Sequence, residues 1–70
     1  MQTDTAPITA FIAKANREGR ASDAAWGTGV LDGVKGLECN AQIHGFGLEL
    51  HEETSLGRAY LSGWCKANGF

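Results

Sequence analysis

Four side chains in the second half of the sequence have the chemical types that hold zinc: Cys39, His44, His51 and Cys65. Tetrahedral zinc sites take four thiolate or imidazole ligands and usually bring them in close pairs such as Cys-x-x-Cys. This sequence has no such pair, and the alternation around Cys39 places it on the opposite face of a predicted strand from His44. The pattern predicts two core thiols and two surface imidazoles, with no metal and no other cofactor.

Candidate nucleophiles are present, but their surroundings do not favour catalysis. Ser22 and Ser55 stand where predicted helices begin, and a hydroxyl there serves as a helix cap. Neither serine lies in a Gly-x-Ser-x-Gly turn. The Gly27-Thr28-Gly29 stretch lacks the Lys-Ser/Thr end of a phosphate-binding loop. The sequence therefore predicts a protein that is not an enzyme.

The charge balance is mildly acidic, with six Lys and Arg against eight Asp and Glu and a formal net charge of -2. A duplex-binding protein normally carries a basic stripe that displaces phosphate counterions. The nearest approach to one is Lys14, Arg17 and Arg20, which lie at the end of a predicted helix, where cations complement the helix dipole. Weak nucleic-acid binding is therefore only an alternative function.

Length and apolar runs predict one small domain, spanning residues 1–70. No apolar run approaches the roughly 20 residues that a membrane-spanning helix needs, so no membrane partner is expected. Residues 1–7 have neither the basic start nor the apolar run of a signal peptide. These features predict a cytoplasmic protein whose two cysteines are reduced.

Alternating apolar residues predict two strands in the middle of the chain. The alternation runs from Leu37 to Ile43 and restarts one step out of phase after Gly45, continuing to His51. A period of two over seven residues is typical of a half-buried strand.

Two helices are predicted at the ends of the chain. The first has Thr5 or Ala6 at its cap, Pro7 in its first turn and Gly19 as its stop. Its core-facing stripe consists of Ile8, Phe11, Ile12 and Ala15. The last helix begins after Thr54 or Ser55 and stops at Asn68-Gly69.

The segment from Ser22 to Gly36 has two interpretations. The favoured one is a short helical turn over Ser22 to Trp26, a third strand over Gly27 to Leu31, and a hairpin turn at Asp32-Gly33. The alternative is a continuous second helix, which three internal glycines disfavour by about 1 kcal/mol each. Either way the predicted fold class is α+β, with an antiparallel sheet of two or three strands and both terminal helices packed on one face.

The last helix has an unusually wide apolar arc of roughly 240°, more than one packed layer covers. Burial between the sheet and the first helix is the ordinary explanation of such an arc. The sharper hypothesis is an interface, whose partner-binding residues would be Tyr60, Leu61, Trp64, Cys65 and Phe70.

We therefore expect a non-enzymatic protein-binding regulator or inhibitor, of the kind that phages and mobile elements encode, which docks on a larger host protein or complex. A second copy of the chain is another candidate partner, giving a homodimer. The alternative functions are a small homodimeric metal or thiol protein that uses Cys39 and Cys65, and the weak nucleic-acid binder.

Overall fold

The regular structure is entirely helical in the part of the chain that the computed structural model describes. The described residues are 5–46 and 56–69, and for Gln42 only the backbone is described. Helix α1 spans Ala6–Arg17, α2 spans Ala21–Val34 and α3 spans Leu56–Ala67. A short 3₁₀-helix, Ala41–His44, lies between α2 and α3. The predicted α+β fold is wrong, because these residues contain no strand.

The predictions for α1 and α3 are confirmed. Pro7 lies in the first turn of α1, and Lys14 and Arg17 lie in its last turn. Gly19 and Gly69 follow their helices with φ of 72° and 80°, the left-handed conformation that ends a helix most readily at glycine. Arg58, Ser62 and Lys66 are exposed along one side of α3. The proposed caps Thr54 and Ser55 lie outside the described residues.

The favoured prediction for the second segment is wrong, and the alternative of a continuous helix is correct. Gly27, Gly29 and Gly33 are all inside α2 and all buried. A Cβ atom on Gly29 would overlap the carbonyl oxygen of Tyr60, and one on Gly33 would lie 2.7 Å from the Cβ of Ala67. Gly29 and Gly33 let the backbones of α2 and α3 approach closely, and this contact offsets their low helix propensity.

The predicted strand from Leu37 to Ile43 is also wrong. Residues 37–40 have no regular structure, and two of their backbone groups bond to side chains of α3 instead of to another strand. The indole Nε1 of Trp64 donates to the carbonyl oxygen of Leu37 at 2.9 Å, and the amide of Asn40 donates to the Tyr60 hydroxyl at 3.2 Å. With α2 helical, the described residues offer no third strand to support a sheet. Most of the second predicted strand lies outside the described residues.

The interior is built around α2, which packs against α1 on one side and α3 on the other. Against α1, the rings of Phe11 and Trp26 meet edge to face with centroids 5.9 Å apart. Between α2 and α3, Tyr60 is the largest fully buried side chain among the described residues. The remaining buried apolar residues are alanines: Ala15, Ala24, Ala25 and Ala41. Small residues thus bring the helices together, and one tyrosine fills the space between them.

None of the helices in the described part of the chain has the length and apolarity of a membrane span.

Candidate functional site

A buried carboxylate joins three elements of the fold. Asp32 lies in the last turns of α2 and is 7% exposed. Its Oδ2 accepts a hydrogen bond of 2.5 Å from the hydroxyl of Tyr60 on α3 and lies 2.7 Å from Nε2 of His44 on the 3₁₀-helix. We call Asp32, His44 and Tyr60 the polar network. It fixes the position of the segment between α2 and α3 relative to both helices.

Proton positions in the polar network follow from its chemistry. A carboxylate oxygen accepts hydrogen bonds, so the 2.7 Å contact is a hydrogen bond when Nε2 of His44 carries a proton. The pKa of Tyr60 is raised to about 12, first by burial and second by its hydrogen bond to Asp32, while the Asn40 amide acts in the opposite direction. Tyr60 is therefore a neutral donor at physiological pH.

Aromatic contacts support the same network. The ring centroid of His44 lies 5.2 Å from that of Tyr60 and 5.7 Å from that of Phe46. The ring centroids of Phe46 and Tyr60 are 5.8 Å apart. Such ring pairs contribute roughly 0.5–1.5 kcal/mol beyond their buried area. The 3₁₀-helix is therefore held by packing as well as by hydrogen bonds.

The segment held in this way exposes two large apolar side chains. Leu37 is 51% exposed and Ile43 is 76% exposed. A cavity of about 290 Å³ lies between them. Its lining also includes Asp32, Glu38, Asn40 and His44. We call Leu37, Glu38, Asn40, Ile43 and His44 the docking surface. It combines two exposed apolar side chains with the carboxylate of Glu38.

The polar network does not have the geometry of a nucleophilic triad. In a triad the carboxylate orients a histidine whose other nitrogen takes a proton from a nucleophile. Here the third member, Tyr60, donates to the same carboxylate oxygen that His44 contacts. Of the residues that the structure describes, those that line the cavity beside it include no Ser, Thr or Cys. This arrangement suits a structural role, in which Asp32 holds the 3₁₀-helix and α3 against α2.

The structure divides the predicted partner-binding residues. Tyr60 is fully buried, so its side chain packs in the interior and is not available to a partner. Leu61, Trp64 and Cys65 are each partly exposed on α3, and Phe70 lies outside the described residues. Trp64 is brought to the docking surface by its bond to Leu37.

Sequence reasoning missed Asp32, and with it the role of His44. The favoured interpretation of the sequence puts Asp32 in a hairpin turn, where an aspartate needs no further explanation. A signal was available, since Asp32 is the only charged residue between Asp23 and Lys35. Within an otherwise apolar helix, a lone carboxylate indicates a buried hydrogen-bonding partner.

Cys39 and Cys65, the two thiols among the four side chains of zinc-ligand type, are free and half-buried. The pKa of the Cys39 thiol is raised by burial and, less strongly, by the negative charges of Cys65, Asp32 and Glu38. His51 lies outside the described residues, and within residues 5–46 and 56–69 no three His, Cys, Asp or Glu side chains are grouped to hold a metal ion.

The basic residues at the end of α1 are partly engaged in ion pairs. Arg20 Nε lies 2.9 Å from Glu18 Oε1, and Arg20 Nη1 lies 2.8 Å from Asp23 Oδ2. The Arg20 guanidinium also lies over the Phe11 ring, 5.8 Å from its centroid. These contacts give Arg20 a role in joining α1 to α2.

Comparison of the chain with protein-family models, with curated proteins and with solved structures found no match.

Proposed function

We propose that this chain is a non-catalytic protein-binding domain that docks on a larger protein through the docking surface. The observation that carries the proposal is the exposure of Leu37 and Ile43, 51% and 76%, on either side of one cavity. Single exposed apolar residues are ordinary, but two that flank a cavity form a place for a partner's side chain.

The way in which these residues are held supports the proposal. Collapse of Ile43 onto the helices would bury apolar area and would be favourable by itself. The bond from His44 to Asp32 and the bond from the Trp64 indole to Leu37 hold the segment in its present position instead. A rigid surface loses less conformational entropy when a partner binds.

Charge indicates the chemistry of the partner. Among the described residues the cavity is lined by the carboxylates of Asp32 and Glu38 and by no Lys or Arg. Electrostatic complementarity favours a partner that presents an apolar side chain next to a Lys or Arg. Trp64 at the edge of the surface adds a residue type that is frequent in binding hot spots.

The test is affinity capture from a lysate of the cells that produce the protein, with wild type and variants compared side by side. Ile43→Ser should weaken retention of the specific partner roughly tenfold, because it removes an apolar side chain that the partner would bury in the complex. Glu38→Lys should weaken it through charge repulsion. The melting temperatures of both variants should stay close to that of wild type, since exposed positions contribute little to stability.

Ala13→Ser is the matched control, because Ala13 is exposed on α1, which does not pack against the 3₁₀-helix. It should retain the partner as well as wild type. Equal retention by Ile43→Ser and wild type would refute the docking surface.

A further inference from the structure

The C-terminal ends of α2 and α3 lie side by side. Gly29 lies against the backbone of Tyr60. Gly33, one helical turn later in α2, lies against Ala67, which is later in α3. Because the contacts advance in the same direction along both helices, α2 and α3 run parallel. The last carbonyl groups of both helices, which are the negative ends of their dipoles, therefore meet at one end of the pair.

The side chain of Asn68 lies at this end and contacts both helices. Its Nδ2 donates a hydrogen bond of 2.8 Å to the carbonyl oxygen of Trp64 in α3. The same nitrogen is 2.9 Å from the position that a Cβ atom on Gly33 of α2 would take. The amide thus satisfies one of the last carbonyl groups of α3 while it packs on α2.

We propose that Asn68 is a site of spontaneous deamidation, and that the carboxylate formed there weakens the contact between the ends of α2 and α3. Asparagine is a chemically labile residue. Gly69 follows it and has no side chain to hinder attack by its own backbone nitrogen. Both residues are exposed to the water that the reaction consumes.

The reaction needs no partner other than water. The backbone nitrogen of Gly69 attacks Cγ of Asn68, and Nδ2 leaves as ammonia with the proton of the attacking nitrogen. The product of this step is a succinimide ring. Water then opens the ring at either carbonyl carbon and gives aspartate or isoaspartate. In sum, one amide and one water give one carboxylic acid and one ammonia.

The fold slows the first step, because both reacting groups are hydrogen-bonded. Nδ2 of Asn68 is bonded to Trp64, and the amide of Gly69 donates to the carbonyl oxygen of Lys66 at 3.2 Å. The end of α3 must open locally before the nitrogen of Gly69 reaches Cγ.

The product removes a donor and adds a charge. A carboxylate oxygen would stand where Nδ2 now donates to Trp64, so two acceptors would face each other. Its negative charge would also lie beside the last carbonyl groups of both helices. Lys35 and Lys66, the cations in the last turns at this end, are exposed, so water screens their attraction for the new charge.

The first test follows the amides of wild type by mass spectrometry of peptides, which separates asparagine, aspartate and isoaspartate. The internal controls are Asn16 and Asn40, which precede Arg17 and Ala41. In the folded protein at neutral pH, Asn68 should convert while both controls stay amides. In guanidinium chloride its conversion should be at least about threefold faster. Conversion of a control as fast as Asn68, equal rates with and without denaturant, or an Asn68 that converts only in denaturant would each overturn the proposal.

The second test isolates the consequence of the modification. Asn68→Asp should lower the folding equilibrium constant at least about fivefold, because it loses the bond to Trp64 and adds the charge. Asn16→Asp is the matched control, since Asn16 is exposed in the last turn of α1, which leads into the start of α2. It should change the constant by less than about twofold. Chemical denaturation measures both variants, and equal losses would overturn the proposal. Neither test depends on the docking surface.

Discussion

Gly29→Ala is expected to remove a large part of the stability of the fold at room temperature. The added Cβ would overlap the carbonyl oxygen of Tyr60 and lie 2.9 Å from the amide nitrogen of Trp64. Both are backbone atoms, so α3 as a whole must move away from α2. Alanine gains about 1 kcal/mol of helix propensity, but overpacking against a rigid backbone outweighs this gain. We expect a net loss of at least about 2 kcal/mol, in a domain whose core supplies roughly 3–5 kcal/mol.

Gly27→Ala is the matched control for this prediction. Gly27 lies in the same helix and is also buried, but its Cβ would meet Ile12 Cγ1 at 2.8 Å and Phe11 Cδ1 at 3.0 Å. These are side-chain atoms that can shift, so its stability should stay within about 1 kcal/mol of wild type. Urea unfolding followed by circular dichroism measures both variants. A Gly29→Ala protein as stable as Gly27→Ala would contradict the close contact of α2 and α3.

Tyr60→Phe has the second large expected effect. The substitution keeps the ring in its site and removes only the hydroxyl, which donates to Asp32 and accepts from the Asn40 amide. A hydrogen bond to a charged group contributes roughly 1.5–3 kcal/mol, and the partners it leaves are partly buried. We expect the free energy of unfolding to fall by about 2 kcal/mol at neutral pH.

A double-mutant cycle assigns this loss to the polar network. Asp32→Asn preserves the shape of the side chain and removes its charge. If Tyr60 and Asp32 stabilise the protein through one bond, the effects of the two substitutions should fall short of additivity by at least about 1 kcal/mol. Full additivity would mean that the hydroxyl and the carboxylate act separately.

Tyr60 also gives stability a particular dependence on alkaline pH. Its pKa is raised to about 12 in the folded protein from an ordinary value of 10. The folded state holds the phenolic proton more tightly, so this contribution is complete below about pH 10 and is lost as pH rises towards 12. The loss is roughly 2–3 kcal/mol.

Tyr60 is the only tyrosine in the sequence, so the absorbance of tyrosinate reports its ionisation directly. The difference in stability between wild type and Tyr60→Phe should shrink between pH 10 and 12, while the contributions of Lys and Cys cancel in the comparison. A midpoint near pH 10 in the folded protein would contradict the burial of Tyr60.

The terminal helices could be predicted because their signals are local. The stripe of Ile8, Phe11 and Ile12 and the stops at Gly19 and Gly69 depend only on neighbouring residues. Whether the segment from Ser22 to Gly36 forms a helix or a strand depends on a part of the chain that is distant in sequence. Gly29 costs helix propensity wherever it stands, and only the contact with Tyr60 on α3 offsets that cost. Spacing offered one hint, since Gly29 and Gly33 are four residues apart, as are Gly63 and Ala67.

The strand prediction failed for a related reason. Alternation from Leu37 to Ile43 shows only that apolar and polar side chains follow one another along the chain. A strand also needs a neighbouring strand for its backbone, and α3 supplied side-chain partners instead. The surface that results could not be predicted, because Leu37 and Ile43 were assigned to a buried face and are exposed.

The most direct test of the docking surface is site-specific photo-crosslinking in the cells that produce the protein. Benzoylphenylalanine in place of Ile43 should crosslink one defined larger protein, and the crosslink should disappear when Glu38→Lys is introduced into the same chain. The same photoreactive residue in place of Ala13 on α1 should give no such product. Equal products from positions 13 and 43, or none from position 43, would contradict a partner seated between Leu37 and Ile43.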